Sequence, residues 1–187
     1  MTTQLTSPAS VGRSSVLADH LGADSLVKDA LMVLAGASLV GVLAQVSVPM
    51  WPVPITGQTL GVLLVGAILG ARRGALSLLS YMLLGLAGMP WFSAASGGLA
   101  ALAKPSFGYI LGFIPAAWLI GKLSERAWDR HFWLSLAAFG GATLIPFIVG
   151  IPYMWAVLRI GGVSMSLTEA LNAGFTPFII GGIVKAA

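Results

Sequence analysis

The chain contains no cysteine, two histidines and six carboxylates among 187 residues, and each shortage removes a class of chemistry. Without cysteine there is no disulfide, thiol nucleophile or cysteine-bound zinc. The imidazoles, His20 and His131, lie far apart in the chain. Asp19, Asp24, Asp29, Glu125, Asp129 and Glu169 all fall in tails or loops of the topology derived below, so no paired acid and base and no row of acidic metal ligands is offered. The glycine-rich stretches lack the Lys-Ser/Thr of a phosphate-binding loop. No basic run interleaves with aromatics as in a nucleic-acid surface.

Charge is the deepest shortage. Only 9% of the residues are charged, against roughly 25% in an ordinary soluble domain. What is present instead is 57% hydrophobic residues, more than a soluble domain of this length could hide. An all-α integral membrane protein is the reading that remains.

Residues 1–27 form a polar tail with no apolar run long enough for a signal peptide, and are expected to be flexible. The membrane domain is expected over 28–187, with spans near 30–48, 57–71, 74–89, 107–123, 132–158 and 171–187. The stretch 57–90 is divided because one helix would hold Arg72 and Arg73 at the bilayer centre, at no less than ~2.5 kcal/mol each. A hairpin turning at the two arginines places them in the interface. The segment 91–106 is too irregular to meet lipid and is expected to line a cavity. Pro146 and Pro152 are expected to kink the fifth span.

With six spans, Arg13, Lys28, Arg72, Arg73, Lys122, Arg126, Arg130 and Lys185 fall on one side and only Lys104 and Arg159 on the other. The positive-inside rule then makes both termini cytoplasmic and turns the loops at 49–56, 91–106 and 159–170 outward. The chain is expected to sit as a multi-pass protein in the cell membrane of a prokaryote.

Catalysis finds no support here, because Ser96 and His131 fall on opposite sides of the membrane. A binding or transport role fits better. Trp51, Trp91 and Phe92 gather in the outward loops, as an interfacial belt or as pocket walls. From Trp91 to Tyr109 the run Ser93-x-x-Ser96-Gly97-Gly98 favours a site, since paired glycines let backbone amides approach a small polar ligand. Lys185 either snorkels to the interface or serves as counter-ion to a ligand carboxylate. Small residues Ala30, Ala37, Gly41 and Ala44 share one face of the first span, for packing within the chain or for docking on a separate membrane subunit.

Several segments in fixed order resemble the BioY family, the biotin-specific S component of energy-coupling factor (ECF) vitamin transporters. They are Ala44-Gln45-Val46-x-Val48-Pro49 with Val53-Pro54-Ile55-Thr56-Gly57-Gln58-Thr59-Leu60; Leu69-Gly70-Ala71-Arg72-Arg73-Gly74-Ala75; Tyr81-x-x-Leu84-Gly85-x-x-Gly88-Met89-Pro90-x-Phe92; Ser96-Gly97-Gly98; Pro105-x-x-Gly108-Tyr109-x-Leu111-Gly112-Phe113; and Pro177-Phe178-x-x-Gly181-x-x-x-Lys185. The resemblance covers about residues 30–187. It implies six membrane helices, an outward pocket for biotin, no cofactor in this chain, and partners in the form of a membrane coupling subunit with two ATPases that use ATP.

By position, the resemblance gives a substrate site of Ser96, Gly97, Gly98, Tyr109 and Lys185, to which Gln58, Tyr81, Trp91, Phe92 and Asn172 are added as candidates. Ser96 is implied to bond the ureido ring. Ala37, Gly41, Ala30 and Ala44 with Arg72 and Arg73 are implied to meet the coupling subunit. Many relatives read Pro-Gly-Asp-x-x-Lys where this chain has Ile180-Gly181-Gly182-Ile183-Val184-Lys185, and some place Arg after the Gly-Tyr where it has Ile110. Lys185 is thereby left for the valerate carboxylate, and Gln58, Asn172 or backbone carbonyls stay open as ureido partners. The same scaffold serving another vitamin, or a precursor such as dethiobiotin, is the alternative. A purely structural assembly subunit would bind no small ligand.

Overall fold

A computed structural model describes residues 16–20, 25–128 and 131–186, with side chains outside 20 and 179–186. Among the described residues five α-helices carry the fold: α1 Leu26–Gln45, α2 Gln58–Leu86, α3 Phe107–Ser124, α4 Phe132–Ile160 and α5 Leu167–Ala186. Four of them, α1 to α4, are long and apolar enough to cross a membrane. The first helix ends at Gln45, short of the expected 48, and the chain enters the 49–56 loop in extended form. The residues just before that loop pair with its last residues as a short antiparallel ribbon, β1 Ser47–Val48 with β2 Ile55–Thr56.

Helix starts follow sequence signals. Ser25 caps α1 by accepting from the Lys28 amide at 3.1 Å. Ser166 and Glu169 form a reciprocal capping box ahead of α5: the Ser166 amide donates to Glu169 at 2.7 Å, and the Glu169 amide to the Ser166 hydroxyl at 3.2 Å. The Ser166 amide and the Ser166 hydroxyl, at 2.7 and 2.8 Å, both donate to the exposed Glu169 carboxyl and hold it below the usual carboxylate range.

α2 doubles back on itself. Gly70 has φ 81° and ψ 177°, far from helical values and open to glycine alone. A Cβ on Gly74 would stand 3.0 Å from the Gly66 Cα, whereas eight residues of straight helix rise about 12 Å. The arms 58–69 and 71–86 therefore lie side by side. The expected hairpin is present, but it turns at Gly70. Arg72 and Arg73 open the second arm instead of forming the turn. Pro146 and Pro152 sit inside α4, whose helical run continues across both.

Small residues let the helices meet closely. A Cβ on Gly121 would come within 2.4 Å of the Ala71 backbone nitrogen, and one on Gly112 within 2.6 Å of the Pro146 Cα. Outward faces carry Leu31, Leu34 and Val42 on α1 and Trp133, Leu136 and Ile148 on α4, all exposed. An apolar surface of that extent suits hydrocarbon and not water.

One end of the bundle is charged. Arg73 pairs with Asp19 and Asp29, each at 2.8 Å, and Lys122 lies 3.4 Å from Glu125. Glu125 also accepts from the Ala71 amide at 2.9 Å. Val16 and Ala18, ahead of α1, are buried at this end.

Candidate functional site

At the opposite end the β-ribbon loop and the 92–106 segment enclose a cavity of about 350 Å³, at the small end of the range for ligand pockets. Two short 3₁₀ turns, Ser93–Ala95 and Leu99–Ala103, shape the second wall. Gln45 at the end of α1 fastens it. The Gln45 amide nitrogen lies 3.0 to 3.3 Å from the carbonyls of Gly41, Trp91 and Phe92, and its oxygen accepts from the Ala95 amide at 3.0 Å. Tyr153 ties the far side by donating to the Leu102 carbonyl at 2.6 Å.

The lining is largely apolar, and its polar groups include one buried corner. Phe92, Phe107, Tyr109, Phe113, Phe147 and Phe178 supply rings. Tyr109 stacks on Phe178 at 5.7 Å and meets Phe147 edge-on at 5.8 Å. Its hydroxyl is committed to α5, donating to the Gly174 carbonyl at 2.9 Å. The corner is made of Thr56 and Gln58, both buried. The Thr56 hydroxyl donates to the Gln58 oxygen at 2.8 Å, and the Gln58 amide donates to the Tyr81 hydroxyl at 2.7 Å. With its oxygen and nitrogen each oriented by a partner, the Gln58 amide presents a fixed face to the cavity.

Of the residues expected at the site, Ser96, Tyr109, Gln58 and Phe92 line the cavity. Ser96 donates to the Ser93 carbonyl at 2.9 Å, which leaves its oxygen able to accept from a ligand. Tyr81 and Trp91 stand one layer behind. Tyr81 is fully buried and orients Gln58; Trp91 packs on it at 5.3 Å and donates to its carbonyl at 2.9 Å. The paired glycines pack against backbone: a Cβ on Gly97 would meet the Met89 carbonyl at 2.3 Å, and the Gly98 amide donates to the Gly85 carbonyl at 2.7 Å. Asn172 is exposed and away from the lining. The Lys185 side chain lies outside the described residues.

The small-residue face of α1 turns inward. Ala37 and Ala44 are fully buried, and a Cβ on Gly41 would press on the Trp91 ring at 3.0 Å. Of the two roles open to that face, packing within the chain accounts for these three residues, while Ala30 is exposed. Arg72 is exposed, and Arg73 is engaged by Asp19 and Asp29.

Sequence reasoning assigned no role to Thr56, Phe113, Phe147, Phe178, Gln45 or, at the cavity, Lys104. Gln45 carried a signal: an uncharged amide closing an apolar helix just before a proline-rich loop needs partners for its polar atoms. The cavity phenylalanines looked like any other apolar residue in a span.

The BioY family model matches residues 10–187. The chain is 38% identical over 153 residues to the biotin transporter BioY of Rhizobium etli, covering 78% of this chain and 79% of that one. It is 33% identical over 148 residues to the biotin transporter BioY of Thermotoga maritima, covering 79% and 83%. A probable biotin transporter BioY of Pyrococcus horikoshii is 38% identical over 160 residues, covering 86% and 90%. Among solved structures, the S-component for biotin from an ECF-type ABC transporter matches with a TM-score of 0.73 and 25% identity, over 88% of this chain and 89% of that one. The chain belongs to the BioY family.

Proposed function

We propose that this protein captures biotin from outside the cell as the substrate-binding subunit of an ATP-driven ECF transporter. The observation that carries the reading is the cavity, whose oriented Thr56–Gln58 corner opens into a ring-lined space. Biotin has a matching division, with a ureido group that must hydrogen-bond and a thiophane and alkyl chain that gain by leaving water. Ser96 and Gln58 are assigned to the ureido group, and Tyr109, Phe113, Phe147 and Phe178 to the apolar part. No step alters the substrate covalently.

In this reading the two arms of α2 cross the membrane separately, so that with α1, α3, α4 and α5 there are six passes and both termini are cytoplasmic. The gathering of Arg72, Arg73 and Lys122 at the bend end supports that orientation. The cavity then faces outward. A membrane coupling subunit and two ATPases drive its inward release, and Ala30, Arg72 and the exposed flank of α1 are the surfaces offered to them.

Calorimetry on the purified full chain in detergent tests the substrate. Saturable biotin binding at one site, weakened at least about tenfold (1.4 kcal/mol) by Gln58→Ala, is expected. A folded chain that ignores biotin but binds another vitamin would reassign the cargo.

A further inference from the structure

Among the described residues that line the cavity, Lys104 is the one charged side chain. Every other polar lining group, including Thr56, Gln58, Ser93 and Ser96, is neutral. The backbone that carries the lysine is fixed. Its amide donates to the Ala101 carbonyl and its carbonyl accepts from the Phe107 amide, both at 3.0 Å. The neighbouring Leu102 is held by Tyr153. The backbone that carries Lys104 beside the cavity is thus fixed from both sides.

No carboxylate of the protein answers that charge among the described residues. Asp19, Asp29 and Glu125 are gathered at the opposite end around Arg73 and Lys122. Glu169 is engaged by Ser166. The other outward cation, Arg159, lies over the Trp155 ring at 4.9 Å and takes no part in the lining. A neutral ligand would make no use of the ammonium, which would stay paired only with water. A ligand with one neutral hydrogen-bonding head and one anionic end would use both polar features. Lys185 is the competing cation. It follows Phe178, a lining residue, by seven positions, about 10 Å further along α5 and away from the 92–106 wall.

We propose that Lys104 is a specificity determinant which receives the ligand's ionised carboxylate at the solvent edge of the cavity, so that this chain selects the free acid over amidated or esterified forms. The proposal rests on the substrate reading above and adds a residue and a selectivity to it. Because the ammonium is exposed, the attraction is screened by salt over about 8 Å at physiological ionic strength.

The test compares biotin with biotinamide, its carboxyl-neutral amide, on the full chain in detergent, using wild type, Lys104→Gln, Lys104→Arg and Lys185→Ala. Expected for Lys104→Gln is a loss of biotin affinity of about fivefold with biotinamide affinity unchanged. Lys104→Arg should retain the acid-over-amide preference, and raising salt should erode it in wild type but not in Lys104→Gln. Equal weakening of both ligands by Lys104→Gln, or no weakening of either, overturns the proposal. So does a preference that survives in Lys104→Gln and vanishes in Lys185→Ala, which would give the carboxylate to α5. Wild-type protein that binds neither ligand would instead overturn the biotin reading, and the proposal would fall with it.

Discussion

The Gln58 amide donates to the Tyr81 hydroxyl at 2.7 Å although 23 residues of almost entirely helical chain separate them. Only the reversal at Gly70 permits this, since a straight helix would hold the two about 34 Å apart. The bond joins the arms of α2 and fixes the polar corner of the cavity in one step, because Tyr81 continues to the Trp91 carbonyl at 3.3 Å. Tyr81→Phe leaves a buried amide hydrogen unpaired, which costs about 1–3 kcal/mol. Thermal unfolding in detergent should show a lower midpoint and calorimetry a weaker biotin isotherm. An unchanged midpoint would remove this bond from the account of how the arms are held together.

Glycines in this chain divide into those that are packed against and those that face open space. A Cβ on Gly121 would lie 2.4 Å from both the Gly70 carbonyl carbon and the Ala71 nitrogen, backbone atoms that cannot step aside. A Cβ on Gly140 would meet nothing within 4 Å. Gly121→Val should therefore force α3 off the bend and abolish a monodisperse folded peak in size-exclusion chromatography. Gly140→Ala should elute as wild type, with stability equal or slightly raised by the better helix former.

How far the sequence reveals this protein can be judged from those same residues. The hairpin in α2 was legible because two guanidiniums cannot rest at the bilayer centre, a statement about energy that needs no coordinates. Its turning point was not, because Arg72 and Arg73 are good helix formers and the break falls on the glycine before them. Ser96, Gln58 and Tyr109 were legible through the ordered family segments. That Trp91 and Gly97-Gly98 stand off the cavity lining was not legible for one reason: aromatic and small residues suit close packing as well as they suit a ligand, and only the positions of Gly41, Tyr81 and Met89 reveal the packing. The inward turn of the Ala37–Gly41 face is hidden in the same way. An apolar helix in lipid has no polar side to mark which flank is buried.

The wall made by residues 91–95 is held in a conformation it would not choose. Ala94 and Ala95 have φ of 59° and 50°, a region that costs alanine about 1–2 kcal/mol per residue. Gln45 holds them there through the Ala95 amide and the Trp91 and Phe92 carbonyls. Gln45→Ala should let the wall relax and leave the fold intact. Bound biotin is then expected to escape about tenfold faster, with the on-rate altered less. A chase of labelled biotin by unlabelled biotin reads the escape directly, and an unaltered chase would mean that the wall holds without Gln45.

Breaking α2 at Gly70 creates a new helix start, and a helix start has amides with no partner of their own. Ala71 is the first of them, and Glu125 accepts its N–H at 2.9 Å from the end of α3, 54 residues away. A carboxylate in that place satisfies the orphan donor and also suits the positive end of the arm's dipole. The cap is supplied by a different helix, which is why no capping pattern next to Gly70 announces it. Glu125→Leu removes the acceptor and should destabilise the protein by about 1–3 kcal/mol. Glu125→Gln keeps a carbonyl oxygen in the same place and should recover most of that loss, forfeiting the charge term and the Lys122 contact at 3.4 Å. The order wild type, then Gln, then Leu in unfolding midpoint is the expected result. If Gln and Leu proved equally unstable, the Lys122 ion pair and not the Ala71 cap would be what Glu125 contributes.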